Sequence, residues 1–245
     1  MRLRPMFALS LSLSLACALP LAGVAAAEDA AGRSAGAGVV RSAECPDGPA
    51  DPHPELYYCG QSRLGPAALP NTEPTATLLR GYQRFGGLSA PHFVTLYANT
   101  DPKQGGDWVY APDRGFQQIN GVVDETQWTV PVGTRLDRFG ALHGGYLSDP
   151  GTPFTQRSLT PDSLNPDPDD GEVYHCLSVL KPFDVRRGHV AAFYGMPGGG
   201  IQEWLDKTLK PKELGEKDYK IDVLVAEQYL AVVNDDQCAV TPTGA

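Results

Sequence analysis

The sequence has few positively charged residues, and it has only one long apolar run. It carries 20 Lys and Arg against 29 Asp and Glu, a formal net charge of −9. Non-specific nucleic-acid binding needs clustered Lys and Arg against phosphates, so this composition predicts no nucleic-acid partner. With 42% hydrophobic and only 20% charged residues, the chain is also not expected to be disordered throughout.

The single long apolar run lies at the N-terminus. It extends from Met6 to about Leu21, follows Arg2 and Arg4, and precedes an A-x-A site ending at Ala27. This pattern predicts a secretory signal peptide cleaved after Ala27, and hence a secreted, extracellular protein with no membrane contact after cleavage. A membrane anchor is the alternative, but roughly 16 apolar residues are short of the ~20 that a membrane span needs.

The cysteines lack the C-x-x-C spacing of a zinc site, so the sequence predicts no metal there. Once Cys17 leaves with the signal peptide, four cysteines remain, and an even number in an exported protein predicts two disulfides. Four cysteines allow three pairings. We favour Cys45–Cys59, which closes a short local loop, together with Cys176–Cys238.

Glycine and proline are too abundant for a helical bundle, with 27 Gly and 22 Pro. The expected fold class is α+β, a mixed domain whose short N-terminal helices pack on a central, mostly antiparallel sheet. Helices are expected over 74–85, from the N-cap Ser89 through Tyr97, and over 221–229. Strands are expected over 107–111, 126–132, 134–139, 173–180 (buried on both faces), 189–194 and, at an edge, 230–233. The mixed-charge segment 207–222 should be a solvated surface.

Neither a Walker loop nor a G-x-G-x-x-G fingerprint is present, so the standard nucleotide-binding motifs are missing. Other residues suit an anionic ligand. Arg138 and Arg157 could grip a diphosphate through planar donors that stay charged. The run Gly198–Gly200 would let the backbone approach a ligand and present its amides. Each also has an ordinary structural interpretation, an ion pair for Arg138 and a tight turn for the glycines.

Several spaced motifs occur together in a defined order. They are DRFG at 137–140, a G-x-Y ending at Tyr146, GTPF at 151–154 with RSL at 157–159, YH at 174–175 and PGGG-x-Q at 197–202. This series resembles the tuberculosis necrotizing toxin domain family, whose members are NAD glycohydrolases, and is most similar to its secreted fungal conidial branch. The resemblance extends from about Cys59 to Val233 and implies a fold distantly related to ADP-ribosyltransferases.

The resemblance implies a role for each matching residue. Gln202 and Arg157 match catalytic positions, and Arg138 matches an arginine that contacts the dinucleotide, with Phe139 packed beside it. The remaining implied substrate-binding residues are Tyr146 on the nicotinamide side, His175, Gly199 and Gly200. The implied layout is a signal peptide (1–27), a flexible disulfide-tied lead-in (28–58), a helical thumb-like part (59–125), the catalytic domain (126–235) and a tail (236–245).

The implied activity is hydrolysis of NAD, and also of NADP, to nicotinamide and ADP-ribose, with no cofactor required. The alternatives are ADP-ribosyl transfer to a protein and an inactive binding domain. A transferase would need a glutamate, and Glu203, next to Gln202, would point to the opposite face of a strand.

The resemblance also bears on ions and partners. A homodimer and a protective inhibitor protein are the candidate partners. Some secreted relatives bind calcium, which would be structural here. Two acidic stretches are candidates for it, although neither has an EF-hand pattern. They are the loop that carries Asp167, Asp169, Asp170 and Glu172, and the segment Asn234–Asp236.

Overall fold

The computed structural model describes residues 45–101, 103 and 106–239. These residues contain nine strands and three short α-helices, besides short 3-10 turns. The predicted signal peptide, its cleavage site and Cys17 lie outside these residues. The helices are α1 (Thr75–Leu78), α2 (Ala90–Tyr97) and α3 (Ile221–Ala226). The strands are β1 (Gln118–Ile119), β2 (Val122–Val123), β3 (Thr126–Val130), β4 (Arg135–Phe139), β5 (Tyr146–Ser148), β6 (Tyr174–Val179), β7 (Phe183–His189), β8 (Ile201–Trp204) and β9 (Leu230–Val233).

Seven of the strands form one sheet in the order β3-β7-β8-β5-β4-β6-β9, and every pairing in it is antiparallel. β1 and β2 form a separate hairpin. The predicted α+β class with a mostly antiparallel sheet is therefore confirmed. No helix among the described residues is long and apolar enough to cross a membrane.

The two faces of the sheet carry different side chains, because successive residues of a strand point to opposite faces. One face, which we call the apolar face, packs on α3 and on the segment before it. Its cluster contains the buried residues Leu136, Leu147, Leu177, Val185, Leu214, Tyr219, Ile221 and Leu224. The other face carries a second cluster that includes Leu78, Tyr82, Phe139, Phe154, Tyr174 and Cys176.

Several predicted elements are confirmed. Ser89 caps α2, and its Oγ accepts a hydrogen bond from the backbone N–H of His92. All six residues of β6 are buried, and β9 is an edge strand. The disulfides Cys45–Cys59 and Cys176–Cys238 are both present, and the second ties β6 to the turn that follows β9.

Other predictions are wrong in extent. The helix expected over 74–85 ends after Leu78, and Gly81 has a positive φ of 75°. The helix was expected because Leu78, Tyr82 and Phe85 fall at i, i+4 and i+7. All three are buried, so this spacing marks burial correctly but not a continuous helix. Leu96 of α2 is 53% exposed, whereas Phe93 of the same helix is fully buried.

Two predicted strands are absent. Over 107–111 the chain makes only an isolated bridge between Trp108 and Ala98. The strand expected over 189–194 lies earlier, as β7, and the apolar residues Phe193 and Tyr194 instead pack among the aromatic side chains of the N-terminal part. The segment 207–222 is not wholly solvated, since it contributes Leu214, Tyr219 and Ile221 to the core.

Candidate active site

A cavity of about 690 Å³ opens on the sheet face opposite the apolar face. The strand register places Asp137, Ser148 and Gln202 side by side there, on β4, β5 and β8. Residues directly opposite each other in antiparallel strands share a face, so these three polar side chains form one row. The principal cavity residues are Tyr110, Arg114, Asp137, Arg138, Phe139, Tyr146, Ser148, Arg157, Asp162, Tyr194 and Gln202.

Arg157 and Asp137 form a buried ion pair in the cavity wall. Arg157 Nη1 and Nη2 donate to the two carboxylate oxygens of Asp137 at 2.5 and 2.8 Å, and Tyr174 Oη donates to the same carboxylate at 2.8 Å. The Nε and Nη2 of Arg157 also donate to the carbonyl of Thr152. Burial raises the pKa of the Asp137 carboxyl, and the guanidinium of Arg157 opposes that rise. Most donors of Arg157 therefore bind protein acceptors.

Phe139 lies under Arg157, with the guanidinium carbon 5.0 Å from the ring centroid. It also makes edge contacts with Phe154 and Tyr174. The sequence placed Phe139 beside Arg138, and this is wrong because consecutive strand residues point to opposite faces.

Gln202 projects from β8 into the cavity wall and is 7% exposed. Its Nε2 donates to the backbone carbonyl of Arg114 at 3.2 Å. A Cβ at Gly115 would lie 3.5 Å from both amide atoms, so the glycine leaves this side chain uncrowded. Within the described residues, Oε1 of Gln202 has no hydrogen-bond donor, which leaves it available to a ligand or water.

Glu203, the next residue of β8, lies on the apolar face, opposite Gln202. It is fully buried and its Oε1 accepts from Arg187, which also pairs with Asp149. Its Oε2 has no partner among the described residues. Burial raises the pKa of Glu203 to about 8, and the Arg187 charge opposes the rise.

Arg138 borders the cavity, but its guanidinium binds protein acceptors. Nε donates to the carbonyl of Ala141 at 2.6 Å and Nη1 to that of Tyr146 at 2.8 Å. Nη2 lies against Gly144, where a Cβ would clash with it. Burial lowers the pKa of Arg138 to about 10, and the Asp167 carboxylate opposes that shift.

Tyr146 lies at the cavity wall on β5, directly opposite Trp204 of β8. Burial raises the pKa of the Tyr146 phenol, and the charge of Arg114 lowers it. A partly buried aromatic ring next to a cation is suited to contact with a flat ligand ring.

His175 does not line the cavity. It is buried on β6, its Nε2 is 2.9 Å from Asp170 Oδ2, and its Nδ1 has no partner among the described residues. Asp167 and Asp170 lie close enough to His175 to share an ion, and His143 forms a similar group with Asp167 and Asp169. Backbone N–H groups within the loop donate to the carboxylates of Asp167 and Asp170, and calcium at this loop or at Asn234–Asp236 has no support beyond the resemblance.

Gly199 and Gly200, two of the three glycines of the PGGG run, also lie outside the cavity wall. The N–H of Gly199 donates to the carbonyl of Val190, and that of Gly200 donates to Gln156. A Cβ at Gly200 would approach Thr152 Cγ2 to 2.5 Å. The amides expected to face a ligand are therefore used in backbone pairing, and Gly200 permits a close approach of two chain segments.

Five of the eight predicted site residues thus line one cavity, and His175, Gly199 and Gly200 do not. Sequence reasoning missed Asp137 as the partner of Arg157, although it stands in the DRFG motif. It also missed Arg114, which lies in a loop without a recognisable motif. Only the fold brings that loop to β8.

Three comparisons with known proteins give matches to parts of this chain. Residues 129–233 match the family described as Tuberculosis necrotizing toxin. The conidial surface nicotinamide adenine dinucleotide glycohydrolase nadA of Aspergillus fumigatus is 40% identical over 157 residues, which cover 60% of this chain and 64% of that protein. The chain therefore spans slightly less than two thirds of this curated relative.

Two solved structures are also similar. The complex of tuberculosis necrotizing toxin with its immunity factor IFT matches with a TM-score of 0.43 and 19% identity, over 71% of this chain and 79% of that chain. Rhs1-CT in complex with its immunity protein RhsI1 matches with a TM-score of 0.28 and 11% identity, over 48% of this chain and 84% of that chain. The family match covers the segment from β4 to β9, which contains the cavity residues Asp137, Arg157 and Gln202. The similarity to the tuberculosis necrotizing toxin family covers residues 129–233, which is less than half of the chain.

Proposed function

We propose that this protein is a NAD glycohydrolase that cleaves the nicotinamide–ribose bond in the cavity on β4, β5 and β8. The observation that carries the proposal is the row of Asp137, Ser148 and Gln202, with Arg157 fixed beside it. The 40% identity to a protein named as such a glycohydrolase supports it.

The reaction suits a neutral glutamine. The oxygen of a water molecule attacks C1′ of the ribose while the C–N bond to nicotinamide breaks. The electron pair of that C–N bond moves to the pyridinium nitrogen and neutralises it. The water's second proton is released, so the products are nicotinamide, ADP-ribose and H⁺. Because the leaving group needs no proton, the general acid of ordinary glycosidases is dispensable.

In this proposal, Gln202 orients the attacking water. Its Nε2 is held by the Arg114 carbonyl, while Oε1 is left to accept a hydrogen bond from a water or a ribose hydroxyl. The Asp137–Arg157 pair fixes the wall beside it. In this role Arg157 mainly positions the cavity wall beside Gln202, because its donors bind Asp137 and Thr152 and not the substrate.

We further propose that the enzyme is secreted, which the two disulfides favour. NADP as a second substrate, a homodimer and a protective inhibitor protein stay predictions.

Transfer of ADP-ribose to a protein is disfavoured by the position of Glu203. A transferase glutamate has to reach the acceptor at C1′. Glu203 is instead buried on the opposite face of β8 and paired with Arg187.

The test is a mass balance. The protein, produced under oxidising conditions, is incubated with NAD, and nicotinamide and free ADP-ribose are quantified by chromatography. We expect equal amounts of both products from the parent and from the control Gln127→Ala, an exposed glutamine of β3. Gln202→Ala should lose the activity. Nicotinamide without free ADP-ribose would establish a transferase, and no turnover from parent protein that binds NAD would overturn the proposal.

A further inference from the structure

Arg114 lies in a tight turn over the cavity. The turn, Asp113–Gly115, has three consecutive residues with positive φ, at 52°, 58° and 82°. The guanidinium carbon of Arg114 lies 4.5 Å from the ring centroid of Trp204, a cation–π contact with the last residue of β8. Two non-glycine residues in the left-handed region are uncommon, and such strain is concentrated at functional sites.

Three guanidinium groups border the cavity, and they differ in what they bind. Arg157 donates to Asp137 and Thr152. Arg138 donates to two backbone carbonyls. Arg114 is exposed, and within the described residues its guanidinium has neither a hydrogen-bond acceptor nor a carboxylate partner. The donors of Arg114 are therefore the ones left for a ligand.

We propose that Arg114 is a substrate-binding residue that donates to a phosphate group of the dinucleotide, an inference that rests on the proposed NAD hydrolysis. An arginine binds phosphate oxygens through two parallel N–H groups, and stacking on Trp204 orients that plane in advance. The ligand class is an anionic diphosphate ester.

The same residue connects binding to the reacting end of the substrate. Its backbone carbonyl accepts from Gln202 Nε2, and its charge acts on the phenol of Tyr146. A phosphate held by the side chain would therefore fix the turn whose carbonyl holds Gln202. Substrate binding at Arg114 and orientation of Gln202 then involve one short segment of chain.

The test compares Arg114→Ala, Arg114→Lys and the control Arg80→Ala, which removes the same charge from an exposed residue outside the cavity. KM and kcat are measured with NAD, and ADP-ribose binding is measured by calorimetry on the same proteins. Loss of charge-assisted hydrogen bonds predicts KM and the ADP-ribose Kd raised roughly 10- to 100-fold in Arg114→Ala. Arg114→Lys should recover part of the loss, and Arg80→Ala should behave as the parent.

The outcomes separate this proposal from the proposed function. If the parent binds ADP-ribose but does not cleave NAD, the glycohydrolase proposal fails while calorimetry still decides the role of Arg114. If Arg114→Ala binds ADP-ribose as tightly as the parent, or loses only kcat, the side chain does not bind phosphate and the proposal is overturned. Absence of ADP-ribose binding by the parent overturns it as well.

Discussion

Gln202 and Glu203 are neighbours on β8, similar in size and shape, and they lie in opposite environments. Gln202 belongs to the polar row that lines the cavity. Glu203 is buried on the apolar face beside Leu147, and its Oε1 accepts a hydrogen bond from Arg187. A shift of one residue in the strand register would exchange the two. The sheet thus separates a reactive face from a structural one, and the register decides which residue serves which purpose.

The two faces also stabilise the fold differently. The apolar face relies on burial of aliphatic and aromatic side chains such as Leu177 and Tyr219. The cavity face needs polar groups, and it keeps the buried charge of Asp137 tolerable by surrounding it with donors from Arg157 and Tyr174. This difference predicts which substitutions disturb the fold and which disturb turnover.

Removal of Arg157 should have the largest effect on the free energy of unfolding, because it leaves the carboxylate of Asp137 buried without its cationic partner. Arg157→Ala should lower the free energy of unfolding by about 3–5 kcal/mol. Lys217→Ala, which breaks an exposed pair with Glu227, should cost at most about 1 kcal/mol. Urea denaturation of both variants checks this, and equal losses would remove the distinction between the buried and the exposed pair.

Truncation on the apolar face should destabilise the protein without changing the chemistry. Leu177 is fully buried on β6, so Leu177→Ala should cost about 2–5 kcal/mol. The folded fraction should keep the parent kcat with NAD, measured well below the variant's melting temperature. A kcat that falls in properly folded Leu177→Ala would mean that the apolar face also takes part in catalysis.

Glu203 should make stability depend on pH. Its native pKa, about 8, lies above that of an exposed glutamate, so the native state binds the extra proton. This contribution to stability is present at low pH and is lost as pH rises toward 8, with a slope of at most about 1.4 kcal/mol per pH unit. Glu203→Gln should flatten the slope between pH 5 and 8.

The matched control for this prediction is Glu216→Gln, at an exposed glutamate. Denaturation curves at several pH values should show the parent slope in Glu216→Gln. A parent slope retained in Glu203→Gln would place the titrating group elsewhere.

The sequence predicted the fold class, and the number and spacing of the cysteines predicted both disulfides. It also predicted the strands β4, β6 and β9, which their apolar residues mark. It missed β5 and β8, which have only three and four residues and mix polar with apolar side chains. Their pairing depends on contacts distant in sequence, which local periodicity does not report. The placement of Tyr82 shows the same limit, since burial was predicted correctly and the helix was not.

The candidate site was predictable where a motif carried it. Gln202, Arg157 and Tyr146 stand in spaced motifs, and the structure brings them to one cavity. Arg114 has no such motif and reaches β8 through a turn far away in sequence. The partners of Arg157 were also beyond sequence reasoning, because a bidentate ion pair depends on three-dimensional geometry and not on spacing.

The most direct test of the two-faced sheet is the NAD product assay on Gln202→Ala and Glu203→Gln side by side. Gln202→Ala should lose kcat by roughly 100- to 1,000-fold, as expected for removal of one preorganised polar group, while keeping its melting temperature and its ADP-ribose binding. Glu203→Gln should retain turnover. An active Gln202→Ala, or a folded Glu203→Gln without turnover, would contradict the account.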